Sequence, residues 1–221
     1  LMQRNWPLAT SDFGATPFSY NQSFRNASSI TAIKARVTVK DLEVSSCAAN
    51  TFVGESRVRL TGAFFNVGTA SPPSALGDVI AQIRLIRRSD STDAARVLRV
   101  EGVVTQCTNP DCSAGVDIGP MVELGTVRIG TPVTLEMQWD ALNDRFLFSR
   151  DEGLRTGSVV YGAFTNPSTG EPIQDSSAPG APNKSLSTRM FVPNCLSGPP
   201  ISGMVDATFD NVFVNASHPW P

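Results

Sequence analysis

The sequence predicts an all-β domain built as an antiparallel β-sandwich. Apolar and polar residues alternate over many short segments, which is the pattern of half-buried strands. Only 17% of the 221 residues are charged, and the 17 glycines and 16 prolines supply frequent turns. No segment has the periodicity of an amphipathic helix. Many short strands separated by turns are typical of two packed antiparallel sheets.

The alternation places the strands in order along the chain. The first clear strand lies at 33–39, where apolar side chains alternate with Lys34 and Arg36. The other predicted strands share this pattern and lie at 57–64, 78–87, 96–105, 122–129, 132–139, 146–148, 158–164, 186–193 and 203–214. A segment rich in Pro, Gly and Ser at 166–184 predicts a long loop, and loops of that length are usually functional or mobile.

The chain divides into a central domain and two terminal segments. Residues 30–214 form the predicted sandwich, and residues 215–221 form a short tail. Residues 1–29 contain scattered aromatic side chains, which disordered tails avoid. This arm packs either on its own domain or on a neighbouring subunit. In the second case it would cover a sheet edge in a homo-oligomer or filament.

The cysteine content predicts two disulfides. The chain has four cysteines and one histidine, and zinc sites need clustered ligands, usually in C-x2-C pairs. Only Cys107 and Cys112 are close, and their spacing differs from that of a zinc site. We expect the bonds Cys107–Cys112 and Cys47–Cys195, the second of which closes a long loop. Disulfides favour an oxidising compartment, and therefore a secreted or cell-surface protein.

Charge and hydropathy exclude several classes of partner. The net charge is −2, whereas a nucleic-acid partner would favour a strongly basic face. No apolar run approaches the roughly 20 residues of a membrane span. No motif predicts a nucleotide or redox cofactor. Sequons for N-linked glycans, which are used only in a eukaryotic host, occur at Asn21, Asn26, Asn183 and Asn215.

Several segments carry a strand-and-turn pattern known from one superfamily. In the last strand, Phe209-Asp210-Asn211-Val212 matches a Phe/Ile-Asp-Asp/Asn-Val pattern. The other segments that carry the pattern are 57–66, 77–83, 131–140 and 145–148. Residues 30–214 thereby resemble the concanavalin A-like lectin and glucanase superfamily, which includes laminin-G-like domains. The turn Cys107–Cys112 also looks like that of uncharacterised secreted bacterial proteins of this build. The resemblance implies a jelly-roll sandwich and specifies no single function.

The resemblance also raises the question of catalysis. Glucanases of this superfamily place carboxylates in a Glu-x-Asp-x-x-Glu motif, because glycosidic hydrolysis needs two carboxyl groups about 5–9 Å apart. That motif is absent, and Glu101 and Glu136 are the candidate acid and nucleophile if they share a concave face. The alternative is that both face solvent from half-buried strands. Related lyases carry Gln-Ile-His, but in Gln82-Ile83-Arg84 an arginine replaces the histidine and cannot act as a neutral base.

A calcium site near the closing strand is the second implication of the resemblance. Asp210 matches the aspartate of the superfamily pattern, and Asp206 is nearby. Calcium takes six to eight oxygen ligands, which often include backbone carbonyls. The alternative is that these aspartates lie at a turn or on an edge strand. Asp111 and Asp117, which flank the disulfide turn, form a second candidate pair.

Polar residues at the outward positions of the strands are the candidate ligand-binding residues. With Glu101 they would form a polar concave face, and they are Arg57, Arg59, Arg84, Arg99 and Gln138. The alternative is an ordinary solvated sheet face. Aromatic platforms for sugar rings are scarce in the middle of the chain, where Trp139 alternates with core residues.

These observations favour a non-catalytic extracellular or cell-surface module that binds a glycan or another matrix polymer. Two alternatives stay open. One is a structural subunit of an extracellular assembly that uses its terminal segments. The other is a glycoside-active enzyme that uses Glu101 and Glu136.

Overall fold

The predicted sandwich is confirmed by a computed structural model that describes residues 1–8, 11–69, 73–166 and 169–215. Two antiparallel sheets pack face to face. The strands of the described residues are β1 Met2–Asn5, β2 Ala15–Ser23, β3 Ala32–Glu43, β4 Glu55–Asn66, β5 Asp78–Arg88, β6 Val97–Cys107, β7 Gly115–Asp117, β8 Val122–Arg128, β9 Val133–Asp140, β10 Arg145–Arg150, β11 Arg155–Val160, β12 Lys184–Pro193 and β13 Gly203–Val214. Short 3₁₀ helices lie at Ala27–Ser29, Ala141–Asn143 and Tyr161–Ala163.

Strands that are neighbours in a sheet are often not consecutive in the chain. The six-stranded sheet has the order β1-β13-β3-β9-β10-β11. The seven-stranded sheet has the order β2-β12-β4-β5-β6-β7, and β8 also pairs with β6. Neighbouring strands in both sheets are antiparallel. No helix among the described residues is long and apolar enough to cross a bilayer.

The core lies between the sheets and follows from the period-two alternation. On β9, Val133, Leu135 and Met137 point inward and are almost fully buried. An aromatic cluster fills one end of the core, where the rings of Phe65 and Tyr161 lie 4.9 Å apart. Burial of each such side chain contributes about 1.5–3 kcal/mol, so the alternating apolar residues supply most of the driving force for the fold.

The N-terminal arm adds one edge strand to each sheet of its own chain. Strand β1 pairs with β13, and β2 pairs with β12. The backbone nitrogen of Leu1 donates a hydrogen bond to the carbonyl of Ala207 at 2.6 Å. The sequence does not predict these strands, because most residues of β2 are exposed and no buried face imposes an alternating pattern. Residues 216–221, which include His218 and most of the predicted tail, lie outside the described residues.

The structure contains the two disulfides that the sequence predicts. One joins distant parts of the chain, and the other joins neighbouring residues. Cys47–Cys195 joins the loop before β4 to the loop after β12, across 148 positions. Cys107–Cys112 closes the turn after β6, across five positions. The long loop restricts the unfolded chain far more than the short one, so the two bonds differ in their expected contribution to stability.

We predict unequal losses when each disulfide is replaced by a pair of serines. Cys47→Ser with Cys195→Ser should lower the free energy of unfolding by about 2–5 kcal/mol. Cys107→Ser with Cys112→Ser should lower it by about 2 kcal/mol or less, because only a short loop is released. Urea unfolding monitored by circular dichroism measures both. Equal losses, or a larger loss for the short loop, would contradict this account.

Candidate functional site

A cleft of about 480 Å³ lies on the outer face of the seven-stranded sheet. Its floor carries Arg57 and Arg59 from β4, Arg84 from β5 and Arg189 from β12. The turn at 111–115, next to the Cys107–Cys112 disulfide, forms part of its wall. We call this feature the arginine cleft. Its volume is within the range of about 300–1,000 Å³ that is usual for ligand sites.

Strand register brings like charges directly opposite one another in the arginine cleft. Arg59 on β4 pairs with Arg84 on β5, and Arg57 on β4 pairs with Arg189 on β12. Outward positions on antiparallel strands alternate with core positions, so each of these arginines leaves the same face of the sheet. Like charges directly opposite destabilise a sheet. The arrangement therefore has a cost to folding that a role in ligand binding would explain.

Two glutamates compensate part of this positive charge. Glu101 on β6 accepts from Arg84 at 2.9 Å and from Arg88 at 3.2 Å, and its side chain is only 1% exposed. Glu55 lies 3.0 Å from Arg57 and 3.7 Å from Arg88. Although its burial acts to lower it, the pKa of Arg88 is raised, because Arg88 donates hydrogen bonds to Glu101 and lies near the charges of both glutamates. These ion pairs fix the side chains along one side of the cleft floor.

The remaining two arginines lack such a partner. Among the described residues, no carboxylate lies within 4.0 Å of Arg59 or Arg189. Arg59 donates instead to the hydroxyl of Ser187 and to the amide oxygen of Gln82, each at 3.2 Å. The guanidinium of Arg189 lies 4.6 Å from the ring centre of Phe191. Four arginines and three aspartates line the cleft and leave an excess of one positive charge there, in a chain whose net charge is −2.

Burial makes the excess charge costly. It lowers the pKa of Arg57 to about 10, against the opposing effect of Glu55, and it also lowers the pKa of Arg59 and Arg189. Nε of Arg57, Nε of Arg189 and the hydroxyl of Ser185 are buried without a hydrogen-bond partner among the described residues. Buried polar groups without a hydrogen-bond partner are rare in folded proteins. An anion in the cleft would offset the charge and could accept hydrogen bonds from the guanidinium groups.

The structure brings together some of the predicted ligand-binding residues and separates others. Arg57, Arg59 and Arg84 lie in the cleft. Arg99 is on the same sheet, but it pairs with Asp93 at 2.7 Å and does not line the cleft. Gln138 is on β9 of the six-stranded sheet, so the expectation that it shares a face with the arginines is wrong. Alternation in the sequence predicts on which side of its strand a side chain lies, but it does not predict to which sheet the strand belongs.

The two candidate catalytic carboxylates are also separated. Glu101 belongs to β6 of the seven-stranded sheet, and Glu136 belongs to β9 of the six-stranded sheet. Both point away from the core, so the sandwich lies between them, and the expectation of a shared concave face is wrong. The alternative that both face solvent is wrong as well, because Glu101 is 1% and Glu136 is 3% exposed. The pair therefore lacks the separation that glycosidic hydrolysis needs.

The candidate calcium residues lie on β13, away from the arginine cleft. Asp206 pairs with Asp41, and Asp210 pairs with Arg36 next to a register shift. Four residues of extended chain place the two aspartates roughly 13 Å apart, too far to share one ion. Asp111 and Asp117 line the wall of the arginine cleft. Among the described residues no group of three His, Cys, Asp or Glu side chains could hold a metal, and calcium binding at Asp210 stays a prediction.

Several residues of the site are missing from the sequence-based prediction. They are Glu55, Arg88, Ser185, Arg189 and Phe191, together with Ser187, which accepts a hydrogen bond from Arg59. The alternation of β12 contains the signal, since its outward Ser187, Arg189 and Phe191 separate buried residues. Two sequons are also placed by the structure, because Asn21 and Asn183 line the cleft. Glycans attached at these two positions would occupy the space above the arginines.

One buried cation lies beneath the cleft floor. Lys184 is 1% exposed, and its ammonium donates at 2.8 Å to the carbonyls of Ala27 and Ala63. It also lies 4.4 Å from the ring centre of Phe64. Burial lowers the pKa of Lys184 to about 8. The positive charge therefore has a cost near neutral pH that disappears when the amine loses its proton.

No family model and no curated protein matches the chain. Several solved structures match at low sequence identity. One is the κ-carrageenase of Pseudoalteromonas carrageenovora in complex with a κ-carrageenan oligotetrasaccharide. It is 10% identical, has a TM-score of 0.32, and the match covers 90% of this chain and 76% of that one. A polysaccharide lyase of family 18 matches at 11% identity, TM-score 0.34 and coverage of 97% and 95%. The CBM40 module of a Ruminococcus gnavus IT-sialidase, bound to α2,3-sialyllactose, matches at 11% identity, TM-score 0.32 and coverage of 89% and 93%.

We predict that Glu101→Gln destabilises the protein, because it leaves the buried Arg84 and the half-buried Arg88 beside a neutral amide. The loss in the free energy of unfolding should be about 3–5 kcal/mol, the usual effect of removing one partner of a buried ion pair. Glu123→Gln is the matched control, because Glu123 lies opposite Glu101 on β8 and is exposed. The control should change stability by less than about 0.5 kcal/mol. Equal effects in chemical unfolding would contradict a structural role for Glu101.

We also predict that stability rises between about pH 8 and pH 9.5 because of Lys184. Its pKa in the folded state is about 8, below the ordinary value of 10.5, so the unfolded state binds more protons in this interval. The gain should be on the order of 1–2 kcal/mol, since one pKa unit corresponds to about 1.4 kcal/mol. The pH dependence of urea unfolding measures it. Lys184→Met should abolish the rise, and a rise that persists in this variant would have another origin.

Proposed function

We propose that this chain is a non-catalytic extracellular module that binds an acidic glycan in the arginine cleft. The observation that carries the proposal is the pair of arginine–arginine contacts across neighbouring strands. They concentrate positive charge on one face of an otherwise acidic chain. Arginine guanidinium groups bind carboxylates and sulfates through paired hydrogen bonds, so an acidic sugar is the ligand that suits this floor.

The shape of the site supports a sugar rather than a small inorganic anion. The cleft volume of about 480 Å³ exceeds the space that a single carboxylate or sulfate needs. Its walls add hydroxyl and amide groups from Thr61, Gln82, Asn183 and Ser185, which can donate to and accept from sugar hydroxyls. Several hydroxyl partners beside a charged floor form the combination that a uronate or sulfated sugar requires.

Two buried carboxylates near the cleft support binding rather than catalysis. Glu101 is held by two arginines and is buried. Asp78 accepts hydrogen bonds from the backbone of Gly180 and Ala181 and is fully buried. A general acid must reach the glycosidic oxygen, and these two carboxylates instead stabilise strands and a loop. The two disulfides are typical of proteins from oxidising compartments, which suits an extracellular role.

Assembly through the N-terminal arm stays a prediction. The described part of the arm pairs with strands of its own chain and covers one edge of each sheet. This pairing favours a role in completing the domain.

We predict that Arg59→Ala weakens binding of acidic polysaccharides by about 10- to 100-fold. Each lost charge-assisted hydrogen bond costs roughly 1.5–3 kcal/mol. The measurement is affinity electrophoresis and calorimetry on pectate, alginate, hyaluronan and chondroitin sulfate, with dextran as the neutral polymer. Binding should weaken with salt, because it depends on charge. Arg59→Lys should keep part of the affinity, since it keeps the charge and loses the planar fork.

Arg155→Ala is the matched control, because Arg155 is exposed on β11 at the edge of the other sheet. It should bind like the unmodified protein. Release of reducing ends or of unsaturated sugars from any bound polymer would refute the non-catalytic proposal. Equal binding of dextran and pectate, or full binding by Arg59→Ala, would refute the arginine cleft as the site.

A further inference from the structure

A second cleft, of about 740 Å³, adjoins the arginine cleft on the same side of the molecule. Its lining is mainly apolar and includes Phe13 from the N-terminal arm, Phe52 and Val53 from the loop before β4, and Phe191 from β12. We call it the aromatic cleft. Phe13 is 87% and Phe52 is 46% exposed. Exposed aromatic side chains grouped around one depression are a feature of binding surfaces.

The two clefts meet at Phe191. Its ring lies under the guanidinium groups of Arg189 and Arg57, whose Cζ atoms are 4.6 Å and 5.7 Å from the ring centre. Glu55 lines the aromatic cleft and lies 3.0 Å from Arg57, which lines the arginine cleft. Glu55 and Arg57 are next-but-one neighbours on β4, roughly 7 Å apart along the strand. An extended ligand that follows β4 would therefore pass from one cleft into the other.

Hydrogen bonds within the protein hold the aromatic cleft in shape. The side chain of Asn50 donates to the carbonyls of Gly14 and Asn194, at 2.5 Å and 3.1 Å. Its amide oxygen accepts from the backbone nitrogen of Phe52 at 2.9 Å. One side chain thus joins the arm, the loop and the segment after β12, close to the Cys47–Cys195 disulfide. A site that is already ordered loses less conformational entropy when it binds.

The charges of the two clefts differ in sign. Glu55, Asp90 and Arg88 line the aromatic cleft, which leaves one negative charge in excess there. A carboxylate or sulfate is disfavoured in that position. Aromatic rings pack against the C–H face of a sugar ring, while the carboxylates and the guanidinium can bind its hydroxyl groups. The aromatic cleft therefore suits an uncharged sugar ring better than an acidic one.

We infer that the aromatic cleft is a second sugar subsite, which binds a neutral sugar ring of the same glycan chain whose acidic ring lies in the arginine cleft. This inference rests on the proposed function and narrows its ligand class to glycans in which acidic and neutral sugars are neighbours. Fully acidic polymers fit only the arginine cleft, and they gain nothing from the aromatic one.

The test compares two tetrasaccharides by calorimetry on the full chain. Hyaluronan tetrasaccharide alternates uronate with neutral sugars, whereas tetragalacturonate carries an acid on every ring. Phe52→Ala should weaken binding of the hyaluronan tetrasaccharide about 10-fold, equivalent to about 1.4 kcal/mol. It should leave binding of tetragalacturonate unchanged. Phe213→Ala is the matched control, because Phe213 is similarly exposed, at 53%, on β13 of the other sheet, and it should affect neither ligand.

Each other outcome overturns a defined part of the argument. If acidic tetrasaccharides bind and Phe52→Ala has no effect, or weakens both equally, the aromatic subsite is wrong while the arginine cleft stands. If the unmodified protein binds tetragalacturonate and rejects the hyaluronan tetrasaccharide, the neutral-ring assignment is wrong. If it binds neither tetrasaccharide nor any acidic polymer of the wider panel, the proposed function fails and the subsite fails with it.

Discussion

The compensation of buried positive charge is the interaction on which the site depends. Arginine pairs face each other across strands of the seven-stranded sheet, and a sheet tolerates such pairs only when neighbouring charges offset them. Glu101 and Glu55 do so for Arg57, Arg84 and Arg88, and they leave a net positive floor. Replacing these groups by apolar residues would be neutral or favourable for many folds. Their presence is consistent with a surface shaped by a ligand and not by stability alone.

The terminal segments determine how the site is bounded. Strand β2 extends the sheet beyond β12, so that Asn21 from the arm reaches the wall of the arginine cleft. Phe13 from the same arm contributes to the aromatic cleft, and Asn50 ties this part of the arm to the loop before β4. The long-range disulfide Cys47–Cys195 lies beside that junction. The N-terminal arm, which the sequence places outside the predicted sandwich, thus supplies walls to both clefts.

Alternation along the chain is sufficient to predict the sandwich and the outward direction of Arg57, Arg59 and Arg84. It cannot predict partners, because pairing between strands far apart in sequence depends on the packing of the whole core. Glu136 and Gln138 illustrate this limit: their strand has the same alternating pattern as the strand of Glu101, but it belongs to the other sheet. The exposed edge strands lack a buried face and leave no periodic signal. The aromatic component is missed for a related reason, since its rings come from three segments that only the fold brings together.

The opposite net charges of the two adjoining clefts would make the protein selective among acidic glycans. A row of arginines alone would bind any polyanion, and its affinity would follow the charge density of the polymer. The negative excess around Glu55 and Asp90 disfavours an acidic group one sugar further along the chain. Specificity is a difference between affinities, and a repulsive contact against the wrong ligand produces it as well as an attractive one against the right ligand. The aromatic cleft would therefore discriminate by the spacing of acidic groups along the polymer, which the arginine cleft cannot do by itself.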